Sequence, residues 1–241
     1  MDDAGLAAHL AATAGRLLTT LQADGLVSGK ALGAAGDLIA HQYLIHALAE
    51  QRPQDGLLSE EGAADPARLA KSRVWIVDPL DGTREYSERR NDWAVHVALC
   101  IDGVAVVGAV ALPAMEHLVL HTAAPALPAA PSGLKVVVSR TRPPIEAERV
   151  AKAMGAELIG MGSAGAKAMA VVRGEAHAYI HSGGQYEWDS AAPAAVAAAC
   201  GLHVSRIDGT PLIYNRPDPY LPDLIICRRE LADDILRAVR A

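Results

Sequence analysis

The stretch Val74-Trp75-Ile76-Val77-Asp78-Pro79-Leu80-Asp81-Gly82-Thr83-Arg84-Glu85-Tyr86 decides how this chain is read. Its first four residues are apolar and mostly β-branched, the pattern of a short buried strand, and the strand runs into Asp78. Pro79 cannot donate to a sheet ladder, and Asp81, Gly82 and Thr83 follow as turn and helix-start residues. Loops at strand ends are where α/β proteins hold ligands. Gly82 allows close backbone approach, and a helix opening at Thr83 would aim free N–H groups and a positive dipole end at an anion. Taken alone, a capping aspartate in a turn explains the stretch equally well.

Two further acidic spots raise the stakes. Leu57-Leu58-Ser59-Glu60-Glu61 ends a second buried strand in carboxylates, and Glu187-Trp188-Asp189-Ser190 places an aspartate at a helix start. If these groups converge, unit charges ~4 Å apart repel by about 4 kcal/mol per pair at an effective dielectric near 20. Such a cluster persists only with some groups protonated or with cations between them, and hard oxygen donors favour Mg²⁺ or Mn²⁺ over zinc. The two aspartates are three residues apart, which separates this element from the Asp-x-Asp-Gly-Thr of haloacid-dehalogenase-type phosphatases, whose aspartates are two apart.

Outward from this centre, apolar spacing predicts helices over roughly the first twenty residues and over 37–50. Strands are expected at 56–59, 74–77, 93–100, 104–111 and 118–120, with a hairpin turn at Asp102-Gly103. The Pro/Ala-rich stretch 123–133 lacks apolar periodicity and reads as a connector. Beyond it, strands at 135–139, 178–181 and 224–227 alternate with helices at 145–154, 164–173, 190–200 and the C-terminal end. The expectation is an α/β protein with an α+β first half (1–124), a connector (125–133) and an α/β second half (134–241), stacked in layers.

Composition sets the remaining bounds. A chain of 241 residues with 51% hydrophobic content buries a substantial core, and a formal charge of −6 without a basic stripe argues against nucleic acid as partner. The opening Met1-Asp2-Asp3 has the wrong charge for a signal peptide, and no apolar run reaches the ~18 residues of a membrane span. Three widely spaced cysteines fit neither a disulfide framework nor a zinc pattern. A cytoplasmic protein with reduced thiols is expected, as a monomer or homodimer.

With these residues in place, the chain resembles the inositol monophosphatase family, the lithium-sensitive, magnesium-dependent phosphomonoesterases. Ser59-Glu60-Glu61, Trp75 to Thr83, and Trp188-Asp189-Ser190-Ala191-Ala192-Pro193 match its motifs in order and in spacing. Within the family, Asp81-Gly82-Thr83-Arg84-Glu85-Tyr86 and Gly162-Ser163-Ala164-Gly165-Ala166-Lys167 are most similar to the CysQ-type 3'(2'),5'-bisphosphate nucleotidases. The resemblance implies a five-layered αβαβα sandwich. It implies two or three Mg²⁺ ions, with Mn²⁺ as a substitute and Li⁺ as an inhibitor. Their ligands would be Glu60, Asp78, the Leu80 carbonyl, Asp81 and Asp189.

Gly82 and Thr83 would hold the phosphate through backbone N–H groups, and Glu60 with Thr83 would position the attacking water. Asp37 matches the family aspartate that orients the threonine, although Gly33 stands where the family has an upstream Thr; an N-cap for the second helix is its simpler reading. Arg84, Glu85, Arg140, Ser163, Lys167 and Glu187 are the expected substrate contacts. For Arg84 and Glu85 a solvated first helical turn fits equally well; Ser139-Arg140-Thr141-Arg142 follows a strand and offers a second anion site, with surface charge as the default reading of its two arginines. The implied reaction is hydrolysis of the 3'-phosphate of 3'-phosphoadenosine 5'-phosphate, and of its sulfate-carrying analogue. An inositol or fructose-bisphosphate phosphatase with the same metal mechanism is the alternative.

Overall fold

The structure is a computed structural model that describes residues 1–62 and 65–240. Helix α1 (Asp3–Asp24) begins at Asp2, whose carboxylate accepts from the Gly5 N–H at 2.8 Å, and ends at Gly25 in the left-handed region, φ 77°. Helix α2 spans Gly29–Gln51 and is followed by β1 (Gly56–Ser59), β2 (Arg73–Asp81), α3 (Thr83–Ser87), β3 (Ala94–Ile101), β4 (Val104–Leu112) and β5 (Leu118–His121). These strands form one sheet in the order β1-β2-β3-β4-β5, with β1 parallel to β2 and the other pairs antiparallel.

The second half contributes β6 (Lys135–Ser139), α4 (Ile145–Met154), β7 (Glu157–Met161), α5 (Ala164–Val172), β8 (Ala178–Ser182), α6 (Glu187–Ala199), β9 (His203–Ser205), β10 (Asp223–Cys227) and α7 (Ala232–Arg240). Its sheet runs β7-β6-β8-β10-β9, parallel on the β6 side and antiparallel around β10.

Strand alternation turns these elements into layers. On β2 and β3, Trp75, Val77, Val95, Val97 and Leu99 pack with Leu10, Leu18 and Leu44 of α1 and α2. The intervening Val74, Ile76, Ala94 and Ala98 face inward, sharing one core with Met169 of α5, Val196 of α6, and Val137, Tyr179 and Ile226 of the second sheet. The opposite face of that sheet, with Val136, Val138, Ile180 and Ile225, is covered by Val150 of α4 and Ile235 of α7. The result is the αβαβα sandwich. No helix among the described residues is long and apolar enough to cross a membrane. Cys100, Cys200 and Cys227 are unpaired, the first and last of them buried.

Several boundaries depart from the sequence expectation. Helix α2 starts at Gly29, eight residues before Asp37, so Asp37 is not its N-cap. Gly33 and Gly36 depress helix propensity, but they are contact points: a Cβ on Gly33 would sit 2.6 Å from Ser87 Oγ, and one on Gly36 2.9 Å from the Tyr86 ring. These glycines let α3 lie against α2. Strand β2 runs through Pro79 to Asp81, and α6 begins at Glu187. The edge strands β7 and β9 carry no clear alternation and were not anticipated.

Candidate active site

On a regular strand, residues three apart point to opposite faces. Strand β2 pairs Asp78 with His96 and Asp81 with Ala94, so its three-residue step opposes a two-residue step on β3. This bulge brings both carboxylates to the same end of the sheet. Asp78 Oδ1 accepts from the Leu80 N–H at 3.0 Å, which holds the bulge closed. Gly82 then takes φ 88°, a conformation that L side chains rarely adopt, and α3 begins at Thr83.

The other carboxylates arrive from neighbouring elements. Ser59 pairs with Val77 in the parallel β1–β2 ladder, so Glu60 emerges beside Asp78. Asp189 lies in the first turn of α6, its Oδ2 accepting from the Tyr186 N–H at 2.8 Å. One carboxylate oxygen from each of Asp78, Asp81 and Asp189 lies within 4.8 Å of the others.

This crowding moves the proton affinities apart. Burial, followed by the charges of Glu60, Asp81 and Asp189, pushes Asp78 well above the usual carboxylate range. Desolvation in the cleft, together with the surrounding carboxylates, raises Glu60 and Asp189 to about 7, although Glu60 keeps an exposed outer side. Asp81 behaves oppositely. Its burial would raise it, but His96, Ser163 and Lys167 outweigh that and hold it below the carboxylate range. The N–H groups of Ala164 and Gly165 donate to Asp81 at 3.1 and 2.6 Å, and the Ser163 hydroxyl donates to Oδ2. Ser163 adopts φ 49°, a strained value for a non-glycine residue and one often found at functional sites.

His96 lies on β3 opposite Asp78. It is fully buried, with Nδ1 3.1 Å from the Trp188 carbonyl and Nε2 3.2 Å from Asp81 Oδ2. A ring nitrogen facing a carbonyl must carry its proton, and the second nitrogen faces a carboxylate, so the imidazolium is the form that fits. Burial opposes that charge and Asp81 outweighs it, raising the His96 pKa. The contact is an ion pair without aligned hydrogen-bond geometry. Gly165 makes the room for it, since a Cβ there would lie 2.0 Å from Nε2. The available signal in the sequence was a lone polar residue on the inward face shared by Ala94 and Ala98.

Asp37 reaches this site from mid-helix. The Thr83 hydroxyl is shared between Asp37 Oδ1 at 3.5 Å and the Leu80 carbonyl at 3.2 Å. Burial and the nearby charge of Glu61 raise Asp37 to about 7. Asp37, Thr83 and Arg84 line a cleft of about 660 Å³. Arg84 faces solvent and pairs with Glu88 at 2.9 Å. Lys167, 5% exposed, donates to the carbonyls of Ser163 at 2.6 Å and Gly162 at 3.3 Å, bracing the turn before α5.

Arg140, Glu85 and Glu187, like Arg84, Ser163 and Lys167, are each engaged by partners within the protein. Arg140 Nε donates to Glu85 Oε1 at 2.8 Å and its Nη2 to Glu88 Oε2 at 2.9 Å, so Arg140 and Glu85 answer each other. Glu187, 0% exposed, accepts from the backbone N–H groups of Asn215 at 2.7 Å and Arg216 at 2.8 Å. It anchors the 215–216 turn, because a buried carboxylate needs such donors.

The cluster of Asp78, Asp81 and Asp189, with Glu60 next to Asp78, offers only oxygen donors, and burial and mutual charge oppose ionising all of its carboxylates together. It fits a hard divalent cation.

Residues 7–241 match the sequence profile of the inositol monophosphatase family. The 3'-phosphoadenosine 5'-phosphate phosphatase of Mycobacterium leprae is 48% identical over 255 residues, covering 100% of this chain and 94% of that protein. The 3'(2'),5'-bisphosphate nucleotidase CysQ of Escherichia coli K12 is 32% identical over 210 residues, covering 78% of this chain and 81% of that protein. The crystal structure of CysQ from Bacteroides thetaiotaomicron superposes with a TM-score of 0.80 at 26% identity, covering 93% of this chain and 96% of that one. The chain belongs to the inositol monophosphatase family.

Proposed function

We propose that this protein is a magnesium-dependent phosphatase that removes the 3'-phosphate of 3'-phosphoadenosine 5'-phosphate, giving AMP and inorganic phosphate. The observation that carries the reading is the all-oxygen cluster of Asp78, Asp81 and Asp189 beside the Gly82-Thr83 turn, in a chain 48% identical to a protein named for that reaction. The sulfate-carrying analogue is a second substrate of the same class. Mn²⁺ would substitute for Mg²⁺, and the enzyme would serve sulfate assimilation and nucleotide recycling in the cytoplasm.

Glu60, Asp78, Asp81, Asp189 and the Leu80 carbonyl would hold magnesium, which would supply Lewis-acid charge stabilisation and lower the pKa of bound water. The chain's own groups provide the rest. The backbone N–H groups of Gly82 and Thr83, free at a helix opening, orient the phosphoryl oxygens. The Thr83 hydroxyl donates toward Asp37 and keeps its lone pairs for the attacking water, which Glu60 holds from the other side. Water adds to phosphorus as the bond to the ribose 3'-oxygen breaks, and the proton lost by the water returns to that oxygen. Asp37 and Glu60, both raised to about 7, can take up a proton near neutral pH.

The test is phosphate release with Mg²⁺ from 3'-phosphoadenosine 5'-phosphate, inositol 1-phosphate and fructose 1,6-bisphosphate, compared by kcat/KM. A preference of at least about tenfold for the nucleotide is expected, which is 1.4 kcal/mol of differential transition-state binding. A preference for either sugar phosphate would overturn the substrate assignment while leaving the metal site standing. Millimolar Li⁺ is expected to inhibit, and unchanged turnover would remove lithium from a magnesium position.

A further inference from the structure

Next to Asp189 lies an aromatic cluster that the reaction scheme above does not use. The rings of Tyr186 and Trp188 stack with centroids 4.9 Å apart at 8°, and Tyr220 meets Tyr186 edge-on at 5.5 Å and 72°. The backbone fixes this arrangement, because Tyr186 and Tyr220 form an isolated antiparallel bridge and the Glu187 N–H donates to the Pro219 carbonyl at 2.8 Å. Tyr186 is one hydrogen bond from the acidic cluster, through its N–H to Asp189 Oδ2. Tyr86, Tyr179 and Tyr214 are buried, whereas Tyr186 and Tyr220 are 40% and 42% exposed. Core tyrosines are covered, whereas Tyr186, backed by Trp188 and met edge-on by Tyr220, stays part-exposed beside Asp189 together with Tyr220.

A cation stands beside them. The two terminal nitrogens of Arg142 lie 3.7 and 3.9 Å from the point where a Cβ on Gly184 would stand, and the Gly184 N–H donates to the Tyr220 hydroxyl at 3.3 Å. Arg142 and Tyr220 therefore flank one glycine. Unlike Arg140, Arg142 has no side-chain hydrogen bond or carboxylate partner among the described residues; only its backbone N–H is engaged, by Ser139 Oγ. The charges of Lys167 and Arg142, after burial, also depress the nearby His181 to about 4. Positive charge thus gathers on this side of the cleft, opposite in sign to the carboxylate end.

We propose that Tyr186 and Tyr220 seat the purine ring, and Arg142 the 5'-phosphate, of a nucleoside 3',5'-bisphosphate whose 3'-phosphate lies against Asp78, Asp81 and Asp189. The inference rests on the substrate class proposed above. Ring stacking requires a flat π-face, which neither inositol nor fructose phosphates have, so this seat separates nucleotides from sugar phosphates. Stacking tolerates any base, so it selects for a nucleotide and leaves the choice of adenine to other contacts. A guanidinium is well suited to a terminal phosphate because its fork matches two phosphate oxygens.

The experiment measures kcat and KM for adenosine 3',5'-bisphosphate in the wild type and in Tyr186→Ala, Tyr220→Ala, Tyr220→Phe and Arg142→Gln. Competitive Ki values for AMP and for inorganic phosphate are measured in parallel. Tyr220→Ala and Tyr186→Ala are expected to raise KM and the AMP Ki about tenfold, the scale of one base stack, and to leave the phosphate Ki within about twofold. Tyr220→Phe, which keeps the ring, restores KM. Arg142→Gln raises the AMP Ki by a similar factor without moving the phosphate Ki. A wild type that does not turn over the bisphosphate overturns the proposed function. A wild type that does, with KM and AMP Ki unchanged in both alanine variants, overturns the seat alone. A parallel rise in the phosphate Ki would mean that the rings merely support Asp189, and would overturn it too.

Discussion

His96 Nε2 and Asp81 Oδ2 stand 3.2 Å apart, with the imidazole fully buried behind the acidic cluster. The pairing gives Asp81 a counter-charge in direct contact, while Asp189 feels the same imidazole without touching it. Asp81 therefore stays ionised and oriented while Asp78, Glu60 and Asp189 are driven toward their protonated forms. A cation bound at this cluster would find in Asp81 one ligand already ionised and held in place.

If His96 acts through Asp81, its removal is expected to weaken metal binding more than it weakens the fold. His96→Gln, which keeps a donor near Asp81, is expected to lose about tenfold in Mn²⁺ affinity by calorimetry, and His96→Ala closer to a hundredfold, the usual range for residues that orient metal ligands. A folded His96→Ala protein with wild-type Mn²⁺ affinity would show that the contact does not prepare the site.

Proton release should accompany metal binding. Glu60 and Asp189, raised to about 7, must lose protons to ligate, so Mg²⁺ affinity is expected to rise between pH 6 and 8. The sign for stability is the reverse in metal-free protein. Acids raised in the folded state hold protons that the unfolded chain releases near pH 4, so their stabilisation is complete below that pH and is lost as pH rises through about 7. His181, depressed to about 4, contributes in the opposite sense up to pH 6.5, so the affinity measurement is the cleaner one. Calorimetry in buffers of different ionisation enthalpy reads the protons directly; Mg²⁺ binding without proton release would contradict the raised carboxylates.

The centre of this site was legible because its chemistry is local. The strand, the two aspartates, Gly82 and Thr83 are neighbours in sequence, and Glu60 follows from the parallel register of the next strand. The bulge that resolves the three-residue spacing was not legible, since it exists only against β3. Nor were the pairings of Arg140 with Glu85 and of Glu187 with the 215–216 turn, each of which joins residues from different parts of the chain. The early start of α2 was hidden by glycines that look like helix breakers and prove to be contact points for α3.

Neutralising single carboxylates should separate ligation from folding. Asp81→Asn keeps the shape but loses both the metal ligand and the charge facing His96, so turnover is expected to fall by on the order of 10²-fold or more. Asp78→Asn removes the cost of holding a buried carboxyl protonated at neutral pH and is expected to raise the melting temperature of metal-free protein, while abolishing the further rise that Mg²⁺ gives the wild type. Near-normal activity in Asp81→Asn, or an intact Mg²⁺-dependent rise in Asp78→Asn, would remove that residue from the ligand set.

Glu187 offers the sharpest contrast between a structural and a substrate role. Both of its oxygens accept backbone N–H groups, from Asn215 and Arg216, at full burial. Glu187→Ala removes both of these part-buried hydrogen bonds, a loss of about 1 kcal/mol for each. In a chain of 241 residues each kcal/mol lowers the melting temperature by about 2–4 °C, so a fall of several degrees is expected. Because the carboxylate points at the 215–216 turn and not into the cleft, KM for the nucleotide should stay within about twofold at a temperature where the variant is folded. The opposite pattern, a wild-type melting temperature with a KM raised tenfold, would return Glu187 to the substrate and take the 215–216 turn out of its role.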